Sequence, residues 1–336
     1  MSDASPRSAR EGLRLNPNPN LNLNPDRDPH DRAVGPAMGF VAPAHRDDVA
    51  ELEALGAASL WVGGHIASRN PSPEPMVWLA RLVEQTQRAL IGTATLLLPL
   101  YPPAIVAKQL ADLDRAANGR LAIGVGVGGE YASDFDACEV PIDERGSRTD
   151  EAITLLRRFW SAEPVSHTGR HHRYIDVRIH PAPAQQGGPP IIVTGRQPVA
   201  MRRGATLGDG WMPYLYSPDR YARSVATIRT EAERIGRSLD TFSWLAYVFV
   251  SLDDDAARAR LAALDFFGGT YGKNDNMTGM LDRVACVGNI EQVTSRLAEF
   301  VDAGVEHFVV APIGPDPQAA ARRLLAEVLP HLGGRR

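Results

Sequence analysis

The chain has 336 residues, enough for two ordinary domains or one large barrel, and carries a formal net charge of −4 with an isoelectric point near 6.2. A surface that binds nucleic acid normally shows a basic excess, so this charge balance excludes a nucleic-acid partner. Cys138 and Cys286 lie far apart without redox or metal-ligand spacing, which predicts free thiols in the cytoplasm. The apolar runs have only strand length and no apolar signal opens the chain, so no membrane segment is expected.

The N-terminal segment differs in composition from the rest of the chain. Residues 1–33 contain the run LNPNPNLNLNPDRDPHDR, which offers too little apolar surface to offset the entropy lost on ordering. We expect a disordered tail there and one domain over residues 34–336. From Ala37 onward one unit repeats, consisting of a short apolar strand, a loop, an amphipathic helix and a stop signal.

The repeating unit predicts eight strands, most of them followed by a helix. That count is typical of a (β/α)8 barrel of the α/β class, and several strands are apolar throughout, as parallel strands covered by helices must be. A doubly wound sheet is the alternative. Residues 161–190, after the fourth helix, are expected to form an insertion of loops or a small hairpin, and 130–146 a polar loop. The predicted strands are 38–42, 59–62, 90–98, 121–126, 189–195, 208–213, 242–250 and 307–312. The predicted helices are 47–55, 76–88, 103–117, 144–160, 199–207, 219–235, a long stretch from 253, 289–303 and 317–329.

A glycine-rich stretch follows the fourth predicted strand. Gly124, Gly126 and Gly129 match the dinucleotide fingerprint G-x-G-x-x-G, but that fingerprint requires a helix to begin at once, and 130–146 is predicted to be a loop. We therefore predict a loop that faces a cofactor at the end of a parallel strand. Bare backbone there can approach a bulky, anionic ligand.

A second loop of the same kind follows the fifth predicted strand. Its backbone N–H groups and one guanidinium would complete a phosphate site, with the N-terminal end of helix 199–207 directed at the same place. The alternative is that these glycines merely end strands and that the arginine is solvated. Arg202 and Arg203, on the same helix, would meet an anionic part of the ligand or remain solvated. The proposed cofactor-binding residues of the two loops are Gly126, Gly128, Gly129, Thr194, Gly195 and Arg196.

Histidines at two places in the chain could carry chemistry. His65 follows the second strand after two glycines, so its ring can point into a barrel mouth, where an imidazole can take a proton from a hydroxyl. The alternative is a histidine hydrogen-bonded within a loop. His167, His171, His172 and His180 match no standard zinc spacing, and we predict no metal site. Trp211, Tyr214 and Tyr216 either wall a substrate pocket or pack in the core.

At the predicted strand ends the chain resembles the luciferase-like monooxygenase superfamily, in particular its branch that uses the deazaflavin coenzyme F420. The resemblance implies a (β/α)8 barrel with an insertion, the cofactor ring at the strands' carboxyl ends, and a cis peptide bond, here Ala94-Thr95, behind that ring. The segments that carry it are ALGAASLWVGGHI, IGTATLLLPLYPPAIVAKQLADLDRAANGRLAIGVGVGG, ERGSRTDEAITLLRRFW, PPIIVTGRQPVAMRRGATLGDGWMPY and VTSRLAEFVDAGVEHFVV.

The resemblance also implies site residues and a function. His65 would be the acid or base, and Glu130 stands about one residue beyond the position of a catalytic glutamate in some family dehydrogenases. Gly64 occupies a position where many F420-dependent members have Asp, which removes a polar contact. The implied function is hydride transfer between F420 and a small organic substrate, in a homodimer. The alternatives are an FMN-dependent monooxygenase and a non-catalytic flavin-binding barrel.

Overall fold

The computed structural model describes residues 35–42, 49–68, 71–272 and 277–332. Eight parallel strands close into a barrel, because the first strand pairs with both the second and the last, and the sixth pairs with the seventh. These closing pairings confirm the predicted barrel and show that the doubly wound alternative is wrong. The predicted tail lies outside the described residues. The barrel strands are β1 (Ala37–Val41), β2 (Ser59–Val62), β3 (Leu90–Leu97), β4 (Leu121–Gly126), β7 (Ile191–Thr194), β8 (Gly210–Met212), β9 (Ser243–Leu252) and β11 (His307–Pro312), with β5 (Val165–Thr168), β6 (Arg173–Val177) and β10 (Ala285–Gly288) outside the ring.

Helices alternate with the strands and cover the outside of the barrel. Several begin with proline at the first helical position, where the missing N–H has no intrahelical partner to lose. Among the described residues no helix combines the length and the apolarity needed to cross a bilayer. The helices are α1 (Val49–Ala54), α2 (Pro75–Gln85), α3 (Pro103–Ala116), α4 (Ala132–Ala137), α5 (Arg145–Trp160), α6 (Pro198–Leu207), α7 (Pro218–Arg234), α8 (Ala256–Tyr271), α9 (Met277–Val284), α10 (Ile290–Asp302) and α11 (Pro317–Arg323), the last continued by short turns to His331.

The barrel interior is filled by side chains from alternate strand positions. One layer consists of buried apolar residues from six strands, so the barrel is a packed core and no pore. The amino-terminal end of the barrel holds a polar group instead: the Ser59 hydroxyl lies 2.6 Å from His307 Nε2 and accepts a 2.6 Å hydrogen bond from Trp61 Nε1. The members of the apolar layer are Trp61, Ala122, Ile192, Met212, Leu245 and Val309.

The predicted insertion is a two-stranded antiparallel hairpin, β5–β6, between α5 and β7. It is fixed to α5 through Glu151, whose carboxylate accepts hydrogen bonds from His167 Nε2 at 2.9 Å and from the backbone N–H groups of His171 and His172 at 3.0 Å. These histidines therefore fasten the hairpin to the barrel. No group of three or more potential metal-ligating side chains occurs in the described ranges.

Two predicted elements were wrong. Residues 130–146, predicted to be a polar loop, contain α4, because Phe135 packs beside Leu97 and Leu100 and gives this short polar segment a buried side. The long helical stretch predicted from Asp253 is divided into α8 and α9 and is followed by β10. β10 pairs with the last four residues of β9, beyond the two residues that pair with β8, so the extra length of β9 creates a place for a ninth strand.

Candidate active site

One side of the barrel mouth, the end at which the strands' carboxyl termini lie, is bare backbone. A Cβ atom on Gly63 would lie 2.4 Å from the carbonyl oxygen of Ala94, and one on Gly126 would lie 2.6 Å from Thr95 Oγ1. The Ala94-Thr95 peptide bond is cis, as the resemblance implied. We call Gly63, Ala94, Thr95 and Gly126 the floor. Because no larger side chain fits there, the floor suits a flat ligand lying against the strand ends.

Thr194 joins the floor to the neighbouring strand β7. Its hydroxyl donates a 2.9 Å hydrogen bond to the carbonyl of Val125 and lies 3.5 Å from Thr95 Oγ1. A Cβ on Gly126 would also lie 3.2 Å from Thr194 Oγ1. The structure therefore brings together Thr95 and Thr194, which are 99 positions apart in the sequence.

The rim beyond the floor is suited to an anion. Gly128 and Gly129 have φ values of 69° and 107°, and Gly195 has 130°, in the left-handed region that glycine adopts most easily. The guanidinium of Arg145, at the start of α5, lies beside Gly129, with Nε 3.2 Å from the position of a Cβ there. Arg145 was missed in the sequence because it falls at a helix start that no glycine motif marks.

Arg196 follows directly after Gly195. Its guanidinium carbon lies 4.7 Å from the centre of the Tyr214 ring, and within the described part of the chain no carboxylate pairs with it. Its donors are therefore open to a ligand. Arg203 has a different role from the one considered for it: its side chain is buried and bonds to the Asp150 carboxylate and the Gly146 carbonyl, so it fastens α6 to α5. The idea that Arg203 contacts an anionic part of the ligand is wrong, because its donors are already used.

His65 is held by a carboxylate that the sequence did not reveal. Its Nδ1 lies 2.8 Å from Oδ2 of Asp134, a fully buried residue of α4, while Oδ1 of the same carboxylate accepts 2.8 Å hydrogen bonds from the N–H groups of Ile66 and Ala67. A carboxylate can only accept, so the Nδ1 atom carries the proton. Nε2 is then left with a lone pair that can take a proton from a ligand.

The loop around His65 is fixed by further contacts. The His65 N–H donates a 2.9 Å hydrogen bond to Ser72 Oγ, and the Tyr131 ring meets the imidazole edge-on at a centroid distance of 4.8 Å. A Cβ on Gly64 would lie 1.9 Å from the carbonyl oxygen of Pro73. Any larger residue at position 64 would therefore displace the backbone, which explains why Gly replaces the Asp of the resemblance.

Glu130 lies at the exposed start of the segment that leads into α4. Its negative charge contributes to raising the pKa of both Tyr214 and Tyr271, after the larger effect of burial. The carboxylate therefore lies near enough to these two phenols to act on them electrostatically.

The opposite side of the mouth is aromatic. The rings of Tyr214 and Tyr247 meet edge-on at 6.5 Å, and those of Tyr247 and Phe249 at 5.2 Å. Tyr271, from the end of α8, belongs to the same apolar cluster. We call these four residues the aromatic wall. The two other candidates pack in the core: Trp211 is fully buried and Tyr216 nearly so.

Barrels with bare backbone on one side of the mouth, a cationic rim and a fixed imidazole form a class of enzymes that hold a flat, anionic ligand against the strand ends. The family model described as luciferase-like monooxygenase matches residues 27–307. The chain therefore belongs to the luciferase-like monooxygenase family.

Particular relatives share most of the chain. An F420-dependent glucose-6-phosphate dehydrogenase of Nakamurella multipartita is 26% identical over 334 residues, covering 88% of this chain and 96% of that protein. An F420-dependent hydroxymycolic acid dehydrogenase of Mycobacterium tuberculosis is 31% identical over 261 residues, covering 75% and 71%. The solved structure of an F420-dependent secondary alcohol dehydrogenase in complex with an F420-acetone adduct superposes with a TM-score of 0.78 at 20% identity, covering 89% and 99%, which supports the fold.

Proposed function

We propose that the protein is an F420-dependent oxidoreductase that transfers a hydride between the deazaflavin and a small organic substrate. The observation that carries the proposal is the position of His65, with its proton fixed on Nδ1 by Asp134, beside a floor that admits only a flat ligand. The F420-dependent enzymes among the relatives support the choice of cofactor. When bound, F420 supplies a two-electron hydride carrier, so the reaction is a dehydrogenation or a reduction.

Different residues of the mouth would bind the ring, the phosphate and the acidic tail of F420 and transfer the substrate proton. The floor, including Ala94, Thr95 and Gly126, holds the ring, while Gly128, Gly129, Thr194 and Gly195 offer backbone groups toward the phosphate. Arg196 and Arg145 supply the cations that an acidic tail needs. In the oxidising direction, His65 Nε2 takes the proton of a substrate hydroxyl, and in the reducing direction it returns it.

A catalytic role is less well supported for Glu130 than for His65. Its charge acts on the Tyr214 and Tyr271 phenols of the aromatic wall, so it would contact the end of the substrate that is remote from the imidazole. We propose it as a residue that positions the substrate. The protein is further proposed to be cytoplasmic, supported by two cysteines that are free thiols, and to act as a homodimer, as the resemblance implies.

The decisive experiment is a fluorescence titration of the purified protein with F420 and, separately, with FMN. We expect tight binding of F420. The Gly126→Ala variant should bind it at least tenfold more weakly, because the added Cβ enters the floor, whereas Gly269→Ala is the matched control, since a Cβ there would meet open space. Binding of FMN alone would replace the proposal with the monooxygenase alternative. Binding of F420 without turnover of any alcohol or ketone would favour the non-catalytic barrel.

A further inference from the structure

The hydroxyl groups of the aromatic wall differ from those of the other tyrosines packed in the barrel. Tyr216, Tyr221 and Tyr101 donate to Arg196 O at 3.3 Å, Leu245 O at 3.0 Å and Glu74 Oε1 at 2.7 Å. In contrast, the hydroxyls of Tyr214 and Tyr247 form no hydrogen bond to any residue in the described ranges, and they are not among the sealed, partnerless polar atoms. They therefore open onto accessible space at the mouth.

Burial of these tyrosines affects the protonation of their hydroxyl groups. Burial raises the pKa of Tyr214, Tyr247 and Tyr271, so each phenol is neutral and able to donate a hydrogen bond at any physiological pH. A ligand that fills this space covers the hydroxyls, and a covered hydroxyl costs free energy unless a ligand oxygen accepts a hydrogen bond from it. The rest of this region is apolar, with Phe249, Phe266 and Phe267 packed behind the phenols.

The charges facing the aromatic wall offset each other. Arg196 tends to lower and Glu130 to raise the pKa of Tyr214, which places one cation and one anion near the same phenol. Among the described residues, the wall therefore has no excess of positive charge to attract a phosphorylated substrate. In the order of the barrel strands, β1 and β11 separate β2, which precedes His65, from β9, which carries Tyr247. The phenols thus face the end of a substrate that is remote from the imidazole.

We propose that the substrate is an uncharged molecule with an apolar body, a secondary alcohol or ketone at one end, and an ether or carbonyl oxygen at the other end that accepts hydrogen bonds from Tyr214 and Tyr247. This inference rests on the proposed function. In the oxidising direction the hydroxyl proton passes to His65 Nε2, the carbon–hydrogen bond breaks with its electron pair going to oxidised F420, and the carbon–oxygen double bond forms. The substrate is oxidised and F420 is reduced.

The test uses two ketones that differ in one atom. 4-Methoxyacetophenone has a remote ether oxygen, and 4-ethylacetophenone has a methylene group in its place. Neither ketone can accept a hydride from oxidised F420, so calorimetry measures binding without turnover, with and without saturating oxidised F420. We expect the wild-type protein to bind the methoxy ketone roughly threefold to tenfold more tightly, the gain of one or two hydrogen bonds.

Substitutions test whether the Tyr214 and Tyr247 hydroxyls cause the preference for the methoxy ketone. Tyr214→Phe and Tyr247→Phe remove a hydroxyl and keep the ring, so the preference should fall in each and disappear in the double variant. Tyr174→Phe is the matched control, since Tyr174 lies on the hairpin, where its ring packs against Phe159. Equal affinity for the two ketones, absence of binding of both, or tighter binding of glucose 6-phosphate would overturn the inference. If the wild-type protein preferred the methoxy ketone but did not bind F420, only the proposed function would be overturned.

Discussion

Asp134 binds His65 from a fully buried position, with Oδ2 2.8 Å from the imidazole Nδ1, and the same carboxylate anchors the backbone of the loop that follows the histidine. One side chain therefore fixes both the tautomer and the orientation of the ring. The arrangement is comparable to the histidine–carboxylate pairs of hydrolases in its physical role: the carboxylate stabilises the imidazolium that forms when Nε2 takes a proton.

Replacing Asp134 with Asn should destabilise the His65 tautomer that carries its proton on Nδ1. The Asn oxygen can keep the bonds to the N–H groups of Ile66 and Ala67, but its NH2 group then faces Nδ1, which moves the ring proton to Nε2. We expect kcat for alcohol oxidation to fall by about 10²-fold or more, with F420 affinity changed less than threefold. Asp136→Asn, on the exposed side of the same short helix, is the control and should behave like the wild type. An unchanged kcat in Asp134→Asn would contradict the positioning role.

Removing the imidazole itself should affect turnover far more than cofactor affinity. His65→Ala is expected to lower kcat by about 10²-fold or more, because it removes the group that takes the proton. Since His65 and Asp134 act as one unit, adding Asp134→Asn to His65→Ala should cause little further loss. Steady-state kinetics of the two single variants and the double variant measure this. Multiplicative losses would show that the two residues act independently.

The rim arginine should control affinity for the cofactor. Arg196→Gln removes a cation that pairs with no carboxylate in the described ranges, and we expect F420 to bind roughly tenfold more weakly, with a smaller dependence on salt concentration. Arg202→Gln is the matched control, because Arg202 is exposed on α6. Fluorescence titrations at low and high salt make the comparison. Equal losses in both variants would point to net charge instead of a specific contact.

Stability should depend on pH through His307. Burial lowers the pKa of His307 to about 4, from an ordinary value of 6.5, and Nδ1 has no hydrogen-bond partner among the described residues. The unfolded chain therefore binds a proton below pH 6.5 that the folded protein resists until about pH 4. The free energy of unfolding should fall as the pH is lowered through this window, by about 3 kcal/mol in total from this residue.

Two measurements check the effect of His307. Urea unfolding between pH 7 and pH 4.5 should show a smaller loss for His307→Gln than for the wild type. In the folded wild-type protein, the NMR resonances of the His307 ring should show no titration above pH 5. A ring that titrates near pH 6.5 in the folded protein would refute the prediction without depending on the variant.

Much of the barrel was predictable because its signals are local. Apolar runs of strand length, prolines at helix starts and glycines at helix ends identified all eight barrel strands and the helices around them, and the glycine-rich loops marked which strand ends face a ligand. Two errors had one cause: α4 and β10 have weak local patterns and form because of distant partners. α4 packs on residues at and just beyond the end of β3, and β10 pairs with the projecting end of β9.

The sequence by itself determined the order of the elements, the glycine-lined strand ends and the presence of a histidine after β2, since each depends on neighbouring residues. Only the tertiary structure decided which groups meet that histidine and which face the mouth. Asp134 lies 69 positions from His65 in the sequence. Because the segment around Asp134 was predicted to be a loop, nothing in the sequence connected the two residues. The phenols of the aromatic wall became distinguishable from core tyrosines only through unused hydroxyls, because hydrogen-bond satisfaction depends on the closed barrel and not on any stretch of sequence.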